Sequence, residues 1–290
     1  MSSTIVQLKK ITKRYGQKNA NDAVSLSLTS GEIYGFLGPN GAGKTTAIRM
    51  IMGFARPTEG SIKLFGKYHP GDEAALARIG FLSADSVLYP QWTAMQHIRF
   101  ADSLHGGHKR ALELANQFGL ELNTKFHRLS SGNKQKLGLI LALMHDPELL
   151  ILDEPTRGLD PLLQQELYEL LLDFAKKGGT VFMSSHNLSE VEHICDRVGI
   201  IRSGKLVANE TMQTLRQMHV HSVRVVFAKS IPSELLNLKN ATVQSQQDKA
   251  LTLHVTGDLN PCLQLVSKHK IVDIQIDHVS LEDMFMRYYQ

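Results

Sequence analysis

The chain has 290 residues, with 32 Lys and Arg against 28 Asp and Glu and a hydrophobic fraction of 42%. That length suits one full domain and a smaller second one, and the composition is that of an ordinary globular protein, which excludes disorder and low complexity. The basic excess is slight and scattered, with no dense Lys/Arg run of the kind a phosphate-backbone binder carries, so nucleic acid is not expected as a partner.

In chain order, residues 1–4 are polar and lead into a strand pattern, so no signal peptide is expected. Val24, Leu26 and Leu28 alternate with polar residues, the period of a half-buried strand. Residues 33–37 are a continuous apolar run between Gly31 and Gly38, the pattern of a strand covered on both faces. A glycine-rich loop and a helix over 44–52 follow, then a turn at 56–60 and strands at 61–65 and 79–82. From about 87 to 145 the pattern is helical, at 93–104, 109–118 and 132–144. This stretch predicts a helical subdomain inserted into an α/β core.

The alternation resumes with a strand at 149–152, a helix at 161–177 with Pro161 in its first turn, and a strand at 180–184. Asn187 and Glu190 have the spacing of a capping box for the next helix. A hairpin over 198–201 and 205–208 turns at Ser203-Gly204. Strands alternating with helices imply a mostly parallel, helix-covered sheet. Cys195 and Cys262 lie in apolar periodic segments and read as buried thiols of a reducing compartment. The longest apolar runs, 137–144 and 149–152, fall far short of the ~20 residues that span a bilayer, so any membrane role must come through a partner.

A second unit starts near Val220, with strands at 222–228, 250–255 and 271–277, helices at 232–236 and 261–269, and a final helix opening at Ser280 with Asp283 three residues on. The expected division is therefore a domain over 1–218, its helical subdomain at about 87–145, and a small α+β accessory domain over 219–290. The accessory unit is small for a free-standing core, so it is expected to lean on the first domain or on a second copy.

Gly38-Pro39-Asn40-Gly41-Ala42-Gly43-Lys44-Thr45 fits the G-x-x-x-x-G-K-[ST] pattern and lies between a buried strand and a helix start. Its glycines let backbone N–H groups turn inward on phosphate oxygens, and the helix adds the positive end of its dipole. Lys44 can reach the β- and γ-phosphates and Thr45 can place its hydroxyl on Mg²⁺; Thr46 next to it belongs to the same contact set. Residues 149–154 are an apolar strand ending in Asp153 and Glu154, which sets two acids at the sheet edge where α/β folds bind ligands. Asp153 suits Mg²⁺, and Glu154 can accept a proton from an attacking water. His186, after the next strand, can reach the same region. Singly, a histidine there is more often structural; the order of loop, acidic strand end and histidine is what gives the set weight.

With these residues assembled, residues 5–209 resemble an ATP-binding cassette (ABC) ATPase, a P-loop NTPase core with a β-rich N-terminal part. Tyr15 stands where that family stacks an aromatic ring on adenine. Leu129-Ser130-Ser131-Gly132-Asn133 resembles the L-S-G-G-Q signature, Gly158-Leu159-Asp160 the dimer-contact loop, and His186 the switch histidine. The signature is also a second anion site at a helix start. In the family it serves the ATP of a neighbouring cassette, so the resemblance implies a head-to-tail pair, formed by this chain with itself or with a sister subunit.

The departures are Ser131 for the first signature glycine, Asn133 for its glutamine, Ala84 for the lid-loop glutamine, and Arg157 before Gly158. Ser83 or Asp85 would have to stand in for the lost glutamine. The short tail ending in Val279-Ser280-Leu281-Glu282-Asp283-Met284-Phe285 resembles separately encoded prokaryotic exporter subunits for drugs, antibiotics and lipids. The resemblance thus implies a cytoplasmic ATPase, peripheral at the inner face of the membrane through an integral permease, that uses ATP and Mg²⁺. The rival reading is a regulatory cassette with little turnover and no permease, motivated by Ala84. Chromosome-associated ABC proteins are disfavoured because no coiled-coil insertion is present, and translation factors because they carry two cassettes.

Overall fold

The computed structural model describes residues 3–84, 88–217 and 220–278. The chain divides into two units, Met1–Thr211 and Met212–Gln290. In the first, β1 (Thr4–Tyr15) and β2 (Lys18–Thr29) pair antiparallel. β3 (Ile33–Leu37), α1 (Lys44–Ile51), β4 (Glu59–Leu64), α2 (Glu73–Leu76) and β5 (Ile79–Leu82) follow. Next come α3 (Ala94–His105), α4 (His108–Gln117), a 3-10 turn at Phe126–Arg128 and α5 (Ser131–Leu143). β6 (Leu149–Asp153), α6 (Pro161–Lys176), β7 (Thr180–Ser185), α7 (Leu188–Ile194), β8 (Arg197–Arg202) and β9 (Lys205–Thr211) complete the unit.

One sheet runs β2-β1-β4 and is antiparallel; the other runs β5-β6-β7-β3-β8-β9 and is parallel except at β9. Every residue of β3, β6 and β7 is buried, which is why these strands read as apolar runs without alternation. Val6, Leu8 and Ile11 of β1 and Val24, Leu26 and Leu28 of β2 join Phe36, Ile48, Ile51 and Phe182 in one core. Helix α7 packs directly on β3. A Cβ at Gly35 would lie 2.8 Å from Val191 Cγ1 and 2.9 Å from Cys195 Sγ, so the close approach requires glycine. Both cysteines are buried and free, and burial pushes the Cys195 thiol up, away from reactivity.

Between β5 and β6 lie the helices α3, α4 and α5. Thr93 opens α3 with a full capping box: its hydroxyl accepts the Gln96 N–H, and the Gln96 side chain accepts the Thr93 N–H. The box expected at Asn187 does not form. Asn187 accepts the Ser189 N–H at 2.9 Å, but Glu190 turns inward to two buried hydroxyls rather than back to the cap.

The second unit contains α8 (Met212–Gln217), β10 (Val220–Phe227), α9 (Ser233–Leu236), β11 (Ala241–Gln247), β12 (Ala250–Thr256), α10 (Asn260–Val266) and β13 (Ile271–His278). It begins with α8, ahead of the expected start at 219. Its sheet is antiparallel in the order β11-β12-β10-β13. Val223, Val225, Leu251 and Leu253 pack with Leu235, Cys262 and Val266 into its core. Strand β11 escapes a pattern reading because almost all of its residues are exposed and most are polar. The tail helix expected from Ser280, and Asp85 of the lid loop, lie outside the described residues. Among the described residues, no helix is long and apolar enough to cross a membrane.

Candidate nucleotide site

The carboxyl ends of β3, β6 and β7 open on one edge of the parallel sheet, the edge at which α/β folds bind ligands. The loop after β3 curls because Gly41 and Gly43 take φ of 79° and 110°. A Cβ at Gly43 would collide with the Ala20 carbonyl oxygen and lie 2.9 Å from Asn21 Nδ2. Asn21 Nδ2 also donates to Gly43 O at 3.2 Å, fastening the loop to β2. The loop runs into the first turn of α1, which holds no acid that would offset the positive helix end.

Lys44 is 6% exposed. Its ammonium donates to Gly38 O at 2.6 Å and Pro39 O at 3.3 Å, and lies 3.1 Å from Glu154 Oε1. A buried charge needs such partners. Asp153, the last residue of β6, is 1% exposed and accepts the Ser184 hydroxyl through Oδ1 at 2.5 Å. Ser184 Oγ accepts the Glu154 N–H at 3.0 Å, so one serine fixes both acids.

Glu154 has φ 51°, an uncommon value for a side chain of this size and one that concentrates at functional sites. The turn takes its carboxylate out of line with the strand. Oε2 lies 2.6 Å from His186 Nδ1, while Oε1 is buried and makes no hydrogen bond, although Lys44 is within ion-pair distance. Lysine, glutamate and histidine thus meet at one point, with the carboxylate held between the ammonium and the imidazole.

A cleft of about 410 Å³ opens over this point. Of the expected residues, Tyr15, Pro39, Asn40, Gly41, Gly43, Lys44, Thr45, Thr46 and Glu154 line it, as does Ala84. Gly38 contributes its carbonyl to Lys44, and Ala42 packs into the core. Asp153 and His186 do not line it, but both are linked to Glu154, Asp153 through Ser184 and His186 directly. Lys18, Ala20 and Arg157 also line the cleft and were not expected there. A larger groove of about 900 Å³ lies against α6 and holds none of the expected residues, so size does not mark the site.

The signature residues do not line this cleft. Ser130 caps α5 by accepting the Asn133 N–H at 3.2 Å, and Gln135 Nε2 donates to Pro155 O at 2.8 Å. A Cβ at Gly132 would lie 3.6 Å from Gly158 O, so Ser131 and Gly132 border the loop after β6. Asp160 is likewise outside the cleft. Its carboxylate caps α6 by accepting the Leu163 N–H at 3.0 Å.

A glycine-rich loop between a buried strand and a helix, a glutamate paired with a histidine beside it, and a helical insertion on a parallel sheet are the features of a P-loop ATPase. Residues 21–157 match the sequence model of the family described as ABC transporter. The chain is 43% identical over 211 residues to the bacitracin transport ATP-binding protein BcrA of Bacillus licheniformis, covering 71% of this chain and 69% of that protein. It is 34% identical to the linearmycin resistance ATP-binding protein LnrL of Bacillus subtilis (strain 168), covering 97% of each. Among solved structures, an ATP-binding subunit of an ABC transporter matches with TM-score 0.69 and 31% identity, over 73% of this chain and 92% of that one. A dimeric cassette in a post-hydrolysis state bound to ADP and Pi matches with TM-score 0.66 and 26% identity, over 72% and 99%. The chain belongs to the ABC transporter ATP-binding family, and it is an ATP-binding ATPase of that family.

Proposed function

We propose that this ATPase drives export of an antibiotic or similar amphiphile through a separate integral membrane permease, working as a head-to-tail pair of cassettes on two ATP molecules. The observation that carries the pair is the separation of Ser130–Asn133 from the cleft of their own chain. A capped helix start with no acid in its first turn is an anion site, and it needs a nucleotide held by another cassette. The names of the bacitracin and linearmycin relatives support the export assignment.

In this reading Tyr15, 52% exposed in the cleft, stacks on the adenine. Lys44 and the loop amides hold the phosphates. Glu154 takes the proton from the attacking water, and His186 orients Glu154 through their hydrogen bond. Thr45 and Asp153 offer the hard oxygen donors that would suit Mg²⁺. The metal, when bound, neutralises charge on the β- and γ-phosphates.

The permease assignment draws on an aromatic surface beside the lid loop. Tyr89 stacks on Trp92 at 4.4 Å, and Trp92 meets Phe100 edge-on at 5.6 Å. Tyr89 and Phe100 are 57% and 49% exposed, and a contiguous exposed apolar patch marks a protein contact. The domain division supports a cassette in the first unit with an accessory unit after it.

One observation favours a second reading. Ala84 lines the cleft where the family carries a glutamine, which suits a regulatory cassette of low turnover. The two readings separate in a tagged pull-down from detergent-solubilised native membranes. A stoichiometric multi-span membrane protein supports the exporter; soluble partners alone overturn it.

A further inference from the structure

The last backbone pair between β6 and β7 is Asp153↔Ser184. Glu154 and His186 both lie beyond it, on loops that the sheet no longer joins. Both sides are nonetheless tied to one common residue. Thr156 Oγ1, two residues after Glu154, donates to Glu190 Oε1 at 2.6 Å. Ser185 Oγ, one residue before His186, donates to Glu190 Oε2 at 2.7 Å and accepts the Asn187 N–H at 2.9 Å. Thr156, Ser185 and Glu190 are 5%, 0% and 7% exposed. One buried carboxylate therefore takes one hydroxyl from the loop after β6 and one from the last residue of β7, next to His186, and its helix α7 is itself pressed onto β3 at Gly35.

We propose that Glu190 is a positioning residue for hydrolysis: it latches the loop carrying Glu154 to the loop carrying His186 and so sets the distance across which the two side chains meet. Hydrogen bonds from hydroxyls to a buried carboxylate are short and strong, and the low local dielectric strengthens them. Glu190 lines no part of the nucleotide cleft and touches neither Lys44 nor the phosphate loop in any hydrogen bond or ion pair among the described residues. Its effect is therefore on the chemical step and not on nucleotide affinity. This inference rests on the assignment of Glu154 and His186 to that step.

The test uses the full chain with Glu190→Ala, Glu190→Gln and Thr156→Val. Turnover is normalised to protein competent to bind a fluorescent ATP analogue. Glu190→Ala is expected to lower kcat by about tenfold or more while KM for ATP and analogue affinity stay within about twofold. Glu190→Gln is expected to recover most of the rate, because an amide accepts one hydroxyl and donates to the other. Adding Thr156→Val to Glu190→Ala is expected to cost less than about twofold more, since the two residues share one link. Wild-type kcat in folded Glu190→Ala, or a rise in KM matching the fall in kcat, overturns the proposal. If Glu190→Ala does not fold, Glu190→Gln and Thr156→Val decide it: wild-type kcat in Thr156→Val overturns it, and a fall of about threefold or more at unchanged KM supports it. Glu154→Gln and His186→Ala run alongside. Full turnover in either would show that the assignment of the catalytic pair failed, a result distinct from failure of the latch.

Discussion

His186 Nδ1 lies 2.6 Å from Glu154 Oε2, joining two loops that leave neighbouring parallel strands. The Glu154 side chain is 12% exposed and that of His186 is 55% exposed, so the histidine holds the carboxylate from the solvent side while Lys44 faces it from within. His186→Ala is expected to lower turnover by about 10²–10³-fold, the usual scale for disturbing a general base. Nucleotide affinity should stay within about threefold, because the phosphate loop is untouched. Steady-state phosphate release and equilibrium nucleotide binding check the two halves.

Lys44→Ala should act on the other half. The ammonium bridges Gly38 O, Pro39 O and the Glu154 carboxylate. Its loss removes the buried cation of the loop, and on the proposed role of that loop nucleotide affinity is expected to fall by about tenfold or more. Turnover should drop to background in the same assay.

Two glycines of the loop make a paired prediction. Gly43 has φ 110°, and a Cβ there meets the Ala20 carbonyl and Asn21. Gly41 has φ 79°, with nothing within 4 Å of an added Cβ. Gly43→Ala is expected to destabilise by about 2–4 kcal/mol, through strain and backbone collision together, and Gly41→Ala by about 1–2 kcal/mol through strain alone. Urea unfolding of both variants tests the order.

The helical subdomain should loosen in acid. His97 is 3% exposed, its Nδ1 lies 2.9 Å from Thr93 O, and its Nε2 accepts the Tyr89 N–H at 3.1 Å. Made together, the two bonds require the neutral ring with its proton on Nδ1; protonation keeps the bond to Thr93 and breaks the one from Tyr89. Burial holds the His97 pKa below its ordinary 6.5, against a smaller opposing contribution from the Thr93 carbonyl. The unfolded chain then binds more protons between the lowered value and 6.5, so this contribution to stability is complete above 6.5 and falls as pH drops through that window. Trp92, the chain's single tryptophan, sits 5.4 Å from the His97 ring and reports the change by fluorescence. His97→Gln should flatten the pH dependence of that signal.

The phosphate loop, the acidic strand end and the histidine were legible because each is a local pattern: a buried run, a terminator, and a residue type at the strand's end. Ser184 and Glu190 were not. Ser184 matters through Asp153 and the Glu154 amide on a neighbouring strand, a relation that only sheet pairing creates. Glu190 has the spacing of a cap, and local pattern favours that reading. Burial between Thr156 and Ser185 decided otherwise, since a desolvated carboxylate takes the strongest donors within reach. Strand β11 was missed for the opposite reason, being an exposed edge strand whose polar side chains leave no apolar alternation to read.

The most direct test of the account is the Glu154→Gln variant, measured for ATP turnover and for ATP retained on the protein. The amide keeps the size of the carboxylate but cannot take a proton from water. The account predicts that turnover falls by about 100-fold or more while ATP stays bound. Turnover near the wild-type rate would contradict it and move the base to another residue.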